Sequence, residues 1–340
     1  MKLLKLILFC LIFASTVIQA DDWERVLNLK GFWKFSIGDD LEWKNQYFID
    51  DDWENIMVPA FWEDEGFNGY DGYAWYRKNF TISEKYTEQT LFLMLGYIDD
   101  VDEVYINGKL VGSSGTFPPN YQTSYYSFRN YPIPRGWLKT GNNTIAVRVY
   151  DAELGGGINN GDIGIFVTNS IPLKAGLEGY WKFNTGDNQK WKDIKFDDSG
   201  WKSIIVPGFW ENQGYADYDG FAWYRKKFTV SKDLINQKLV LVLGKIDDGD
   251  QVFINEKLVG AMGNFSSDPP NTNNYYDKLR GYFLPQNLLK EGENLIAVRV
   301  YDQYKDGGIY RGPIGITTQK EYTKFWRKTD KRSFWERIFN

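Results

Sequence analysis

Two acidic runs stand out in the chain: IDDVD at 98–102 and IDDGD at 246–250. Each places three carboxylates at what reads as a strand–loop junction. Carboxylates so grouped can accept hydrogen bonds from sugar hydroxyls, with Asp99, Asp100, Asp247 and Asp248 the nearest candidates. They can also ligate Ca²⁺ through hard oxygens, through Asp99 and Asp102 or Asp247 and Asp250. A third use is local, the capping of backbone amides in a turn. VPAFWE at 58–63 and VPGFWE at 206–211 set Trp62-Glu63 and Trp210-Glu211 just after a proline that ends a strand. An exposed indole stacks on the C–H face of a sugar while the carboxylate takes its hydroxyls; the same indole can instead plug the end of a β-sandwich. Asp71 and Asp219 precede AWYRK segments that carry Trp75 and Trp223. Paired carboxyls could also hydrolyse a glycosidic bond if held about 5–10 Å apart. The pairs on offer are Glu63 with Asp71, Asp99 with Asp102, and their counterparts Glu211 with Asp219 and Asp247 with Asp250.

Composition narrows the chemistry. The chain has no histidine and one cysteine, Cys10. That excludes Ser-His-Asp, Cys-His and histidine-metal centres. Any catalysis would rest on carboxylates, Lys, Tyr or Arg. Residues 1–20 read as a secretory signal peptide, with Lys2 and Lys5 before a short apolar stretch and Ala20 at a cleavage point. Its removal takes the only cysteine, so no disulfide is expected, and takes the net charge from −5 to −7. An acidic chain is a poor partner for nucleic acid. Aromatics make up 18 % of the residues. Most are expected in cores, where they bury large areas, and the rest on sugar-facing surfaces.

The elements that would position these groups occur twice. DGYAWYRKNF at 71–80 returns as DGFAWYRKKF at 219–228, and LGYIDDVDEVYINGKLVG at 95–112 as LGKIDDGDQVFINEKLVG at 243–260. NTIAVRVYD at 143–151 returns as NLIAVRVYD at 294–302. The offset grows from 148 to 151 residues across an Asn/Pro-rich loop. The organisation expected is a leader at 1–20, one domain at 21–172, a second at 173–320, and a basic aromatic tail at 321–340. The tail could lie on an anionic membrane surface or a partner as an amphipathic helix, or stay loosely docked.

The apolar runs are short, rich in Val, Ile, Tyr and Phe, and bounded by Gly, Pro, Asn and Asp, which predicts strands. Alternation puts Tyr76, Phe80 and Ile82 on one face, and Trp75, Arg77 and Asn79 on the other. Residues 90–96 are apolar on both faces and read as a central strand. Asn107-Gly108 predicts a two-residue hairpin. In the second copy Asn255-Glu256 predicts a different turn, because Glu is uncomfortable at positive φ. Arg77, Arg225, Arg148 and Arg299 read as internal braces, with Asp151, Asp302 or the IDD carboxylates as partners. GGINNGDIGI at 156–165 and GGIYRGPIGI at 307–316 read as loops at the sandwich mouth, without the strand–GxGxxG–helix context of a nucleotide site.

With their order and spacing kept over about 140 residues, twice, these motifs resemble the sugar-binding jelly-roll domain of glycoside hydrolase family 2 enzymes (β-galactosidase and β-glucuronidase type) and the related module of bacterial sialate O-acetylesterases. The resemblance implies an all-β fold of two tandem jelly-roll β-sandwiches, galactose-binding-domain-like, whose end loops face an oligo- or polysaccharide. It implies that an acidic residue ahead of a GI-(Y/F)-R loop holds the sugar. That residue would be Asp302, ahead of Tyr310-Arg311, and Asp151 in the first copy, where Asn159-Asn160 replaces Tyr-Arg. The catalytic carboxylates of family 2 enzymes belong to a separate (β/α)₈ barrel of about 250 residues, and no such alternation of strand and helix is expected in this chain. The expectation is a secreted or surface-held, non-catalytic carbohydrate-binding protein needing no cofactor, with Ca²⁺ as an option. A family 2-like hydrolase or its accessory subunit, and an adhesive surface β-protein, are the alternatives.

Overall fold

A computed structural model of the chain describes residues 23–329, apart from 88, 90, 169–170 and 273–274. The expected leader and the end of the expected tail lie outside the described residues. The first repeat contributes ten strands: β1 (Trp23–Asn28), β2 (Gly31–Ile37), β3 (Glu54–Val58), β4 (Gly72–Ile82), β5 (Leu91–Ile98), β6 (Val101–Ile106), β7 (Lys109–Ser114), β8 (Phe128–Ile133), β9 (Gly141–Asp151) and β10 (Ile158–Thr168). The second repeat runs β11 (Ala175–Gly176), β12 (Gly179–Thr185), β13 (Lys202–Val206), β14 (Gly220–Val230), β15 (Leu239–Asp247), β16 (Gly249–Ile254), β17 (Lys257–Met262), β18 (Leu279–Phe283), β19 (Gly292–Asp302) and β20 (Gly308–Thr318). In each repeat a four-stranded antiparallel sheet packs on a six-stranded one. The orders are β1-β10-β5-β8 and β3-β2-β4-β9-β6-β7, then β11-β20-β15-β18 and β13-β12-β14-β19-β16-β17. The chain is thus two β-sandwiches of identical topology.

Strand alternation builds both cores. Tyr76, Phe80, Ile82, Ile145, Val147 and Val149 point between the sheets of the first sandwich, and their counterparts do so in the second. β5 is an inner strand, flanked by β10 and β8, as its two-sided apolar run requires. The opposite face of β4 is not open to solvent. The loop after β2 folds over it, so Trp75 stacks on Tyr105 and packs with Trp43 and Trp53 in a second, outer core. Trp191, Trp201, Trp223 and Phe253 repeat this arrangement.

The arginine braces exist, but with other partners than expected. Buried Arg77 donates to Asp50 at 2.7 Å and to three carbonyls of the covering loop, those of Trp43, Asn45 and Phe48. Arg225 meets Asp198 in the same way at 2.7 Å. Arg148 pairs with Asp39 and Glu103, and Arg299 with Asp187. Asp39, Asp50, Asp187 and Asp198 come from the covering loops, distant in sequence, and strand periodicity carries no trace of them, whereas Glu103 sits opposite Arg148 on the neighbouring strand β6.

The second hairpin also departs from expectation. Asn255 and Glu256 take φ of 47° and 73°, close to the 50° and 79° of Asn107 and Gly108. Glu256 accepts the left-handed conformation, and its carboxylate receives the Ile194 amide at 2.8 Å. Ile171, Leu173, Val240 and Val242 form a small outer cluster, against which helix Gln319–Thr329 lays Tyr322 and Phe325. The first part of the expected tail is therefore a docked helix. No helix among the described residues is long and apolar enough to cross a membrane.

Candidate functional site

The four Trp-centred candidates are structural. Trp62, Trp75, Trp210 and Trp223 are all fully buried. The Trp62 indole N–H donates to the Tyr70 carbonyl at 3.1 Å, and that of Trp210 to Tyr218 at 3.1 Å. Gly156 and Gly307 lie directly on these rings: a Cβ at either position would fall 2.1 Å from an indole carbon. The glycine-rich loops are therefore glycine-rich because they seal the sandwich end against a Trp plug. That seal needs the proline-ended strand, the plug and the glycine loop together.

Glu63 and Glu211 serve the same seal. Glu63 accepts the Gly156 amide at 3.1 Å, and Glu211 the Gly307 amide at 3.0 Å. The other oxygen of Glu211 is buried without a partner, and burial pushes its carboxyl up to about 8. Asp71 and Asp219 are exposed at the rim, and Asp219 accepts the Lys305 amide at 3.1 Å.

Asp102 and Asp250 leave the ligand set. Both are fully buried. Asp102 binds Arg129 at 2.7 Å and the Tyr131 hydroxyl at 2.6 Å. Asp250 binds Arg280 at 2.8 Å and the hydroxyl of Tyr282. The last carboxylate of each acidic run thus points into the sandwich and locks β6 to β8, or β16 to β18. A Ca²⁺ site pairing Asp99 with Asp102, or Asp247 with Asp250, is excluded by this geometry, as is a hydrolytic pair of the same residues.

The remaining carboxylates meet at open clefts, one per repeat. In the first, a concavity of about 420 Å³ is lined by Phe61, Tyr97, Asp99, Tyr125, Asn159 and Asn160. In the second, one of about 400 Å³ is lined by Asp247, Asp248, Tyr276 and the 303–306 loop. Asp99 and Asp247 are equivalent in the repeat, as are Tyr125 and Tyr276, so the clefts occupy corresponding sandwich ends. Asp151 and Asp302, the last residues of β9 and β19, lie fully buried near them. Both oxygens of Asp151 lack a hydrogen-bond partner, and so does one oxygen of Asp302. Burial, reinforced by neighbouring carboxylates, raises Asp99 to about 6 and Asp151, Asp247 and Asp302 to about 7.

Asp100 is held by structure: its oxygens receive the Thr123 hydroxyl and the Ala152 amide, the latter at 2.8 Å. Tyr310 stacks on Phe209 at 4.7 Å and donates to the Tyr276 carbonyl at 2.9 Å, shaping the wall of the second cleft. Arg311 is exposed beside it.

The aromatic surface that sequence reasoning missed is phenolic and phenyl, not indole. Phe61 is 41 % exposed, Tyr97 38 %, Tyr125 60 %, Tyr276 53 % and Tyr304 70 %. The loops offer a signal: the paired tyrosines at 125–126 and 275–276 sit in polar loops that have no core to bury them in.

Residues 49–154 match the family model described as the β-galactosidase second all-β domain. A protein of Formosa agariphila assigned as a β-glucuronidase is 32 % identical over 152 residues, which is 41 % of this chain and 14 % of that protein. The β-galactosidase BoGH2A of Bacteroides ovatus is 29 % identical over 133 residues, 36 % of this chain and 15 % of its own length. Among solved structures, Bacteroides uniformis β-glucuronidase 2 aligns with 86 % of this chain and 28 % of its own, at 15 % identity and a TM-score of 0.37. The chain thus resembles the all-β domains of family 2 glycosidases. It spans about one seventh of the length of the curated relatives it matches.

Proposed function

We propose that this chain is an exported, non-catalytic carbohydrate-binding protein with one saccharide site at the end of each sandwich. The observation that carries this reading is the duplicated cleft: the same sandwich end, in both repeats, presents exposed aromatic rings beside carboxylates. A flat ring packs against the C–H face of a pyranose, while carboxylates and Asn159-Asn160 take its hydroxyls. The acidic lining favours neutral sugars and repels uronates. The resemblance to family 2 domains supports a carbohydrate ligand of this kind. Residues 1–20 support export, as a signal peptide.

Titration of the full chain with neutral oligosaccharides, followed by calorimetry or glycan-array binding, tests the proposal. Phe61→Ala combined with Tyr125→Ala, and Tyr276→Ala combined with Tyr304→Ala, are each expected to weaken binding about five- to thirtyfold, from the loss of roughly 1–2 kcal/mol of ring contact. Binding that survives both pairs of substitutions would sink the assignment of these clefts. The elevated Glu211 and Asp302 carboxyls give a hydrolytic reading its one specific support, since a general acid must hold its proton near neutral pH. Turnover of aryl glycosides, abolished by Glu211→Gln, would establish that reading in place of the binding one.

A further inference from the structure

We infer that the second repeat binds one divalent hard cation, Ca²⁺ by size, between Asp247, Asp248 and Asp302, and that the first repeat does not. One carboxylate oxygen from each of these residues lies within 4.8 Å of the others. Ca²⁺ takes its oxygens at about 2.3–2.6 Å, so two ligands on opposite sides of the ion stand roughly 4.6–5.2 Å apart. Three oxygens so placed can share one ion. Mg²⁺, at about 2.0–2.1 Å, demands a stricter octahedron and dehydrates reluctantly, which suits an open, irregular trio less well.

A second observation points the same way. Asp302 is fully buried at the end of β19, its Oδ1 receives the Tyr304 amide at 3.2 Å, and its Oδ2 has no hydrogen-bond partner. A buried carboxylate oxygen without a donor is costly. Its carboxylate is one of the three that converge with Asp247 and Asp248. Asp248 is fixed through its own Oδ2, which receives the Gln303 amide at 3.0 Å. The cleft beside the trio is open, so water can supply further ligands of the six to eight that Ca²⁺ takes.

The first repeat serves as an internal control. Its equivalents are Asp99, Asp100 and Asp151, and Asp151 is equally buried. There, however, the Thr123 hydroxyl already occupies Oδ1 of Asp100, whose Oδ2 takes the Ala152 amide just as Asp248 takes that of Gln303. Among the described residues only the second trio brings its oxygens together. This inference does not rest on the saccharide reading and is tested without sugar.

The full chain, freed of metal by EDTA and desalted, is titrated with CaCl₂ by calorimetry. A parallel titration follows tyrosine-sensitised Tb³⁺ luminescence, which reports proximity to Tyr276 and Tyr304. One site per chain is expected, with an affinity no weaker than about 1 mM, the loose end of Ca²⁺ modules. Asp302→Asn is expected to weaken binding at least tenfold, and Asp151→Asn to leave it unchanged. Asp248→Asn provides a second, less buried lesion should Asp302→Asn fail to fold, and is expected to weaken binding to a similar degree. Mg²⁺ is expected to bind at least tenfold more weakly than Ca²⁺. No heat and no luminescence would overturn the inference, as would binding that survives the folded Asn variants of the second trio. Two sites, one lost in Asp151→Asn, would overturn the distinction between the repeats, and equal affinity for Mg²⁺ would overturn the choice of ion.

Discussion

An indole beside an arginine on the outer side of a strand looks, by alternation alone, like a ring offered to solvent. Trp75 has that pattern and is nonetheless completely enclosed, stacked on Tyr105 and donating to Asp39 at 3.0 Å. Trp75→Ala is therefore expected to cost about 3–5 kcal/mol, as Phe80→Ala does from the inner face. Phe61→Ala, at an exposed ring, is expected to stay within about 0.5 kcal/mol of the parent. Urea midpoints measured on the three variants rank them; a stable Trp75→Ala would contradict the outer core. Asp151 gives a residue-scale prediction in pH. Burial, with repulsion from Asp99, Asp100 and Asp71, lifts its carboxyl to about 7, against roughly 3.9 in an unfolded chain. The native state therefore holds a proton that the unfolded state has lost, and stability falls as pH rises between about 4 and 7. With EDTA present, the urea midpoint is expected to drop from pH 5.5 to pH 8, and Asp151→Asn to drop less. An equal drop in the two proteins would show that Asp151 ionises without penalty.

Single strands here do two jobs, and the buried polar ties between sheets show how. Gly112 on β7 faces the Tyr131 ring of β8: a Cβ there would stand 2.1 Å from a ring carbon. Tyr131 in turn places its hydroxyl on Asp102, which Arg129 also holds. Gly112→Ala must displace the ring or the strand and disturb the network, so a loss of about 2–4 kcal/mol is expected. Gly260 against Tyr282 repeats the contact at 2.0 Å. A thermal midpoint close to wild type in Gly112→Ala would mean that the two sheets slide freely past each other. Elements were also what the sequence displayed best. Period-2 alternation in residues 75–82 separated the inner face from the outer one correctly, because the hydrophobic effect acts on each strand locally. The site was far less legible. Asp99 and Asp247 line open clefts, but Asp102 and Asp250 differ from them in sequence only by pointing inward, a parity that the acidic run itself does not display. The covering loops reverse the meaning of outer-face Trp and Arg, and they come from residues 38–53 and 186–201, outside the strands whose periodicity was being read.

The described contacts between the sandwiches gather at one junction, where β7 and the 134–137 turn meet residues 173–180 and 211–213. Trp137 packs against Tyr180 at 5.7 Å, Ser113 donates to the Asn212 carbonyl at 2.9 Å, and Arg135 donates to the Leu173 carbonyl at 2.9 Å. Each sandwich by contrast has its own complete core. Cooperativity should then reside mainly within each repeat, and a ligand held by one should stabilise that one. A cation bound only by the second repeat adds RT ln(1 + [L]/Kd) to that repeat alone, about 2.7 kcal/mol at a hundredfold excess over Kd. Calorimetric scans with EDTA and with Ca²⁺ are expected to show one component of the endotherm moving up by several degrees while the other stays in place. Trp137→Ala, which removes a ring that packs both on Tyr180 and against the edge of the first core, should widen the separation. If the whole endotherm moves as one peak, and Trp137→Ala does not split it, the junction couples the repeats as tightly as a shared core would, and the two sites would then be energetically linked through it.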